Sequence, residues 1–194
     1  MRTASNGSHT VRKITLCAML MALSVVIGVA CKNWFTWNLY YRVTFENFPV
    51  IISGFLFGPL WGAAVGAGAD VVSCLLSTNP SVNFVITIGA ATVGILSGLI
   101  PLLFRRTRAP FSLKLALAVA SAHLFGQVVI KSIGKIMYFG MPVYGIFIGL
   151  AISAVVGTAE FFFIRLLLSN AEIASHLSDI TDMLPRKTKE DAGK

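Results

Sequence analysis

His123, Gln127, Lys131 and Lys135 recur at four-residue steps within an apolar run from about Leu113 to Phe139. On an α-helix, four residues overshoot one turn by about 40°. The four side chains therefore form one slowly drifting polar stripe. Its chemistry is that of binding: ammonium groups pair with anions, while a carboxamide or an imidazole both donates and accepts hydrogen bonds. The surroundings are Leu, Ala, Val, Ile, Phe and Gly. Ionisable groups in such a setting are costly, face a protein interior or a cavity, and are functional candidates. The stripe suggests a binding wall, although His123 by itself also fits a satisfied core residue. Further candidates are Glu46, Asn47, Asp70, Asn79, Asn83 and Glu160, the last structural or paired with Arg165. No His-Glu-x-x-His metal motif, phosphate-binding loop or close pair of acids on one helix is present.

The elements that carry these residues follow from composition. Of 194 residues, 56% are hydrophobic and only 12% charged, with a net charge of +8 and a mean hydropathy of +0.79. A soluble domain carries about 25% charged residues. A bilayer span takes about 20 apolar residues, so about six spans fit, leaving little for a soluble domain. The expected fold is all-α: a polytopic membrane protein, a bundle of six transmembrane helices over residues 1–168. A tail follows over 169–194, its first part amphipathic. Residues 1–11 are polar and expected to be a disordered cytoplasmic N-terminus.

The expected spans run from Val11 to Ala30, Val43 to Phe57, Leu60 to Leu76, Asn83 to Phe104, Leu113 to Phe139 and Val143 to Leu168. Gly58-Pro59 and Gly140-Met141-Pro142 are turn signals. Cations cluster on one side: Arg12, Lys13, Arg105, Arg106, Arg108, Arg186 and Lys187. By the positive-inside rule, both termini are cytoplasmic. That distribution also argues against nucleic acid as the partner of the basic charge. Cys17, Cys31 and Cys74 form no CxxC and read as small apolar filler. The first apolar run reads as a retained span, not a cleaved signal.

With this orientation the polar groups gather at the outer half. Lys131 and Lys135 lie near the outer surface, Glu46 and Asn47 open the second span, Asn83 opens the fourth, and Asp70 sits mid-way along the third. Trp34, Trp37, Tyr40, Tyr41, Tyr138 and Tyr144 flank the outer turns, either as an interfacial belt or as stacking faces. The lysines also fit a snorkelling role, which leaves the convergence of Glu46, Asn47, Asn79 and Asn83 unexplained. A cleft with these groups suits an aromatic heterocycle that carries anionic substituents. Small residues at four-residue spacing, Ala18/Ala22, Gly62/Gly66 and Gly94/Gly98, allow close helix approach, within the chain or to a partner.

The stretch from Tyr41 to Ala63, YRVTFENFPVIISGFLFGPLWGA, resembles the substrate-binding S components of energy-coupling factor (ECF) vitamin transporters, most nearly the folate-type branch. Val65 to Asp70 and Ala18-x-x-x-Ala22 fit as well, and the likeness covers about residues 12–168. The resemblance implies a six-helix subunit that is not itself an enzyme. It would capture a vitamin outside, dock to a transmembrane coupling protein and two ATP-binding subunits, and topple in the membrane to release cargo. It implies that Ala18 and Ala22 meet the coupling protein and that residues 32–42 lid the site. Ala30-Cys31-Lys32-Asn33 and the tail after Ser169 depart from the family pattern.

The roles expected on this reading place Arg42, Lys131 and Lys135 on ligand carboxylates. Glu46, Asn47, Asp70, Asn83 and Gln127 read ring edges, and Trp34, Trp37, Tyr138 or Tyr144 stack. No cofactor or metal is expected. The rival cargoes are riboflavin, pantothenate, thiamine or a queuosine precursor, thiamine being disfavoured by its positive charge. The rival class is an intramembrane enzyme using Glu160, Asp70 or His123.

Overall fold

The computed structural model describes residues 3–34, 43–77, 83–170, 172, 173, 177 and 181. Among these there is no strand. The helices are α1 (Thr3–Trp34), α2 (Asn47–Phe57), α3 (Pro59–Leu75), α4 (Phe84–Leu103), α5 (Phe111–Ser121), α6 (Lys131–Phe139) and α7 (Gly145–Ser169). A π-helical segment, Ala122–Ile130, joins α5 to α6. Together they make one rod, Phe111–Phe139, so the bundle has six helical columns. The leading polar residues, expected to precede the first helix, join it from Thr3 onward.

Four columns are long and apolar enough to cross a membrane: Thr10–Trp34, Phe84–Arg106, Phe111–Phe139 and Gly145–Ser169. The other two, α2 and α3, are shorter. At 1.5 Å per residue, α2 with 11 residues reaches about 16 Å, against a hydrocarbon core of about 30 Å. It begins four residues later than the expected start at Val43. Residues 43–45 are non-helical.

Almost every side chain of α2 is buried, as expected of a helix that is apolar all round. It sits centrally, in contact with α1, α3, α4, α5 and α7. Ile51, Phe55, Val65, Val93, Leu115 and Ile164 form the core around it. Beside it, α3 and α4 cross at Gly62 and Gly94. A side chain at Gly94 would run into the Gly62 carbonyl, so these small residues serve packing within the chain. After α7, Leu177 packs against the core and Thr181 Oγ1 donates to the Leu56 carbonyl, tying the tail to the last turn of α2.

Candidate functional site

Polar side chains of neighbouring helices gather at the first turn of α2. Glu46, just before α2, accepts a hydrogen bond from Lys131 Nζ of α6 at 3.2 Å. The Glu46 carbonyl accepts from Ser24 Oγ of α1 at 2.7 Å, and its amide donates to Thr44 Oγ1 at 3.2 Å. Asn47 Nδ2 lies 3.4 Å from Gln127 Oε1, at the long end of the hydrogen-bond range. On α3, Asp70 Oδ2 accepts from Thr87 Oγ1 of α4 at 2.8 Å. Ser24, Glu46, Asn47, Asp70, Ser73 and Lys131 share one hollow, with Gly66, Ala69 and Ala90 as its small-residue wall. The cavity volume is about 10 Å³, room for about one water molecule and far below the roughly 300–1,000 Å³ of pockets that hold drug-sized ligands.

Lys131 is 3% exposed. It is therefore enclosed within the bundle and not turned out from it. A helical side chain leans back towards the N-terminus of its helix, so Lys131 reaches inward from the outer part of the rod to Glu46. Gly89 on α4 makes the passage: a Cβ there would lie 2.6 Å from Lys131 Cγ. Ala122–Ile130 is π-helical, a geometry often found at functional sites. The four-residue stripe does not keep to one partner. Gln127 and Lys131 face the hollow's partners, whereas His123 faces α7, where Nε2 lies 2.7 Å from Glu160 Oε2. Glu160 thus pairs with His123, not with Arg165.

Asn83 caps α4: its Oδ1 accepts from Val85 N at 3.0 Å and Ile86 N at 3.3 Å, the standard way to satisfy free helix amides. Its Nδ2 is buried without a partner among the described residues. Asn83 adjoins the cluster through Thr87, whose hydroxyl is 3.2 Å from the Asn83 carbonyl. Lys135, a turn beyond Lys131, is half-buried. Trp34, Tyr138 and Tyr144 are largely exposed at the same end of the bundle and do not line the hollow. Lys32 Nζ donates to Cys74 Sγ at 3.4 Å nearby. Trp37, Tyr40, Tyr41, Arg42 and Asn79 lie outside the described residues, as does most of the expected lid; its start, Lys32 to Trp34, extends α1.

A larger groove of about 470 Å³ runs between the α5 end of the fifth column and α7, lined by Val119, Leu124, Val128, Leu150 and Phe161, with His123 and Ser153. Its walls are almost wholly apolar and do not suit a polar heterocycle with anionic groups.

The sequence matches the family described as "ECF transporter, substrate-specific component" over residues 12–177. The chain belongs to this family. It is a multi-pass membrane protein and a substrate-specific (S) component, a transporter subunit. No curated protein sequence matches it. Its fold is similar to that of a solved structure, "Crystal structure of FolT bound with folic acid", with a TM-score of 0.62 and 19% sequence identity, covering 78% of this chain and 89% of FolT.

Reading the S component from sequence alone missed Ser24, Ser73 and Thr87. Single hydroxyl residues in apolar helices bond to their own backbone at little cost, so they give no signal of their own. Spacing offers a faint one: Ser73 lies three residues after Asp70, on the same face of α3.

Proposed function

We propose that this S component captures folate, or a closely related pterin-bearing vitamin, from the external side of the cell membrane. Both termini are cytoplasmic, and six helical columns hold the site. The chain docks to a transmembrane coupling protein whose two ATP-binding partner subunits hydrolyse ATP. The observation that carries this reading is the joining of Glu46, Asn47, Asp70, Gln127 and Lys131, from separate helices, in one buried polar cluster. It sits within a fold shared with FolT. Such a cluster has the donors and acceptors to read a heterocycle edge. Asn83 borders it. Lys135 and Arg42 pair with ligand carboxylates, and Trp34, Trp37, Tyr138 and Tyr144 supply stacking faces. Ala18 and Ala22 are exposed on α1 and form the docking face.

The test is purification in detergent followed by mass spectrometry of what co-purifies, with folate affinity measured by calorimetry. Stoichiometric, chemically unchanged folate is the expected result. A different vitamin at stoichiometry replaces the cargo, and chemical turnover of the ligand ends the transport reading. For docking, Ala18→Leu with Ala22→Leu is expected to abolish uptake into cells while leaving folate affinity unchanged.

A further inference from the structure

Lys131 was expected to meet ligand carboxylates, yet it lies buried against Glu46 on the wall of the hollow, with Asn47 and Asp70 beside it. We propose that the Glu46–Lys131 ion pair reads the heterocycle itself: it selects a neutral lactam-type edge, in which adjacent N–H donors stand beside a carbonyl acceptor. This rests on the reading of the site as a pterin-binding one.

The argument is one of charge balance. Two opposite charges held 3.2 Å apart at almost full burial form a dipole with no net charge. A ligand edge that donates at one end and accepts at the other can insert into such a pair. The Glu46 carboxylate then accepts two N–H groups side by side, and the Lys131 ammonium donates to the carbonyl oxygen. Both charges keep partners, and no new one is buried. An anionic ligand group at the same place would face the Asp70 carboxyl as well as Glu46 in a buried site, which is costly. An edge of the opposite polarity would set its donor against the Lys131 ammonium, which has three donors and no acceptor. Gly89 fits this role, because it is the missing Cβ at that position that lets Lys131 reach the hollow. Ligand carboxylates, on this account, belong at the rim and not at Lys131.

The experiment compares two probes on the detergent-purified, ligand-stripped chain: pterin, with its amino-oxo edge, and the corresponding diaminopteridine, which carries an amino donor in place of the oxo acceptor. Wild type is expected to prefer pterin by at least about tenfold, the discrimination available to a site with a dedicated hydrogen-bond donor. Lys131→Gln, whose carboxamide accepts as well as donates, is expected to cut the preference by about threefold or more, the remainder resting on the ring N–H that pterin offers Glu46 and the diaminopteridine lacks. Lys131→Arg is expected to keep it. Equal affinities in wild type overturn the assignment without recourse to any variant. An undiminished preference in Lys131→Gln overturns it too. Folate binding without discrimination between the probes removes the edge assignment and leaves the proposed function standing, whereas failure of every pteridine to bind removes both.

Discussion

Among the described residues, two buried side-chain pairs bridge helices in this S component: the ion pair Glu46–Lys131 at 3.2 Å and the hydrogen-bonded pair His123–Glu160 at 2.7 Å. They differ in their surroundings. The first has Ser24, Asn47, Asp70 and Ser73 around a small hollow. The second abuts an apolar groove; Gly157 packs against the His123 ring, and His123 Nδ1 and Glu160 Oε1 have no partner among the described residues. Charges with polar neighbours and adjacent space can exchange one partner for another. Polar groups sealed among apolar neighbours have only each other, and separating them leaves an unsatisfied group in a dry site. The first arrangement suits ligand exchange; the second suits a strut between the fifth column and α7.

The largest effect expected is on the strut. His123→Leu leaves Glu160, fully buried, without its partner and should cost about 3 kcal/mol of stability, seen as a large fall in the thermal unfolding midpoint in detergent. Folate affinity of the surviving folded protein should stay within about twofold; a collapse of affinity at unchanged stability would reverse the comparison. Next comes the exchanging pair. Lys131→Ala should weaken folate binding by about 1.5–3 kcal/mol, the range of a charge-assisted hydrogen bond, by calorimetry. Its unfolding midpoint should move less than that of His123→Leu, because water can enter the hollow beside Glu46. Asn83→Ala removes the cap of α4 and should lower stability by about 1 kcal/mol, measured by the same melt. The smallest change tests the strut's replaceability. His123→Leu combined with Glu160→Leu should lie within about 1 kcal/mol of wild type or above it, since apolar groups of similar size often match a buried pair. A double variant as unstable as His123→Leu alone would show that the pair contributes more than mutual compensation.

Much of this was legible in the chain. The long spans followed from apolar length, and the block from Tyr41 to Ala63 carried the family. Glu46, Asn47, Asp70, Gln127 and Lys131 stood out because polar groups are rare in apolar runs. What stayed hidden has definite causes. The four-residue stripe implied one shared face, whereas His123 meets Glu160 of α7 and Lys131 meets Glu46. The burial of Lys131 depended on Glu46 and on the absence of a side chain at Gly89. Glu160 had a cation five residues away in Arg165, yet found its partner on another helix.

The sequence by itself determined that the protein is helical, that it lives in a membrane and to which family it belongs. Hydrophobic run length against bilayer thickness and a distinctive local block are properties of contiguous residues. Only the tertiary structure decided which polar groups meet, because Glu46 and Lys131 are 85 residues apart and His123 and Glu160 are 37 apart. Such pairings depend on the rotation and height of each helix in the bundle. Those are set by interfaces such as the Gly62–Gly94 crossing, where contacts between distant residues outweigh local periodicity.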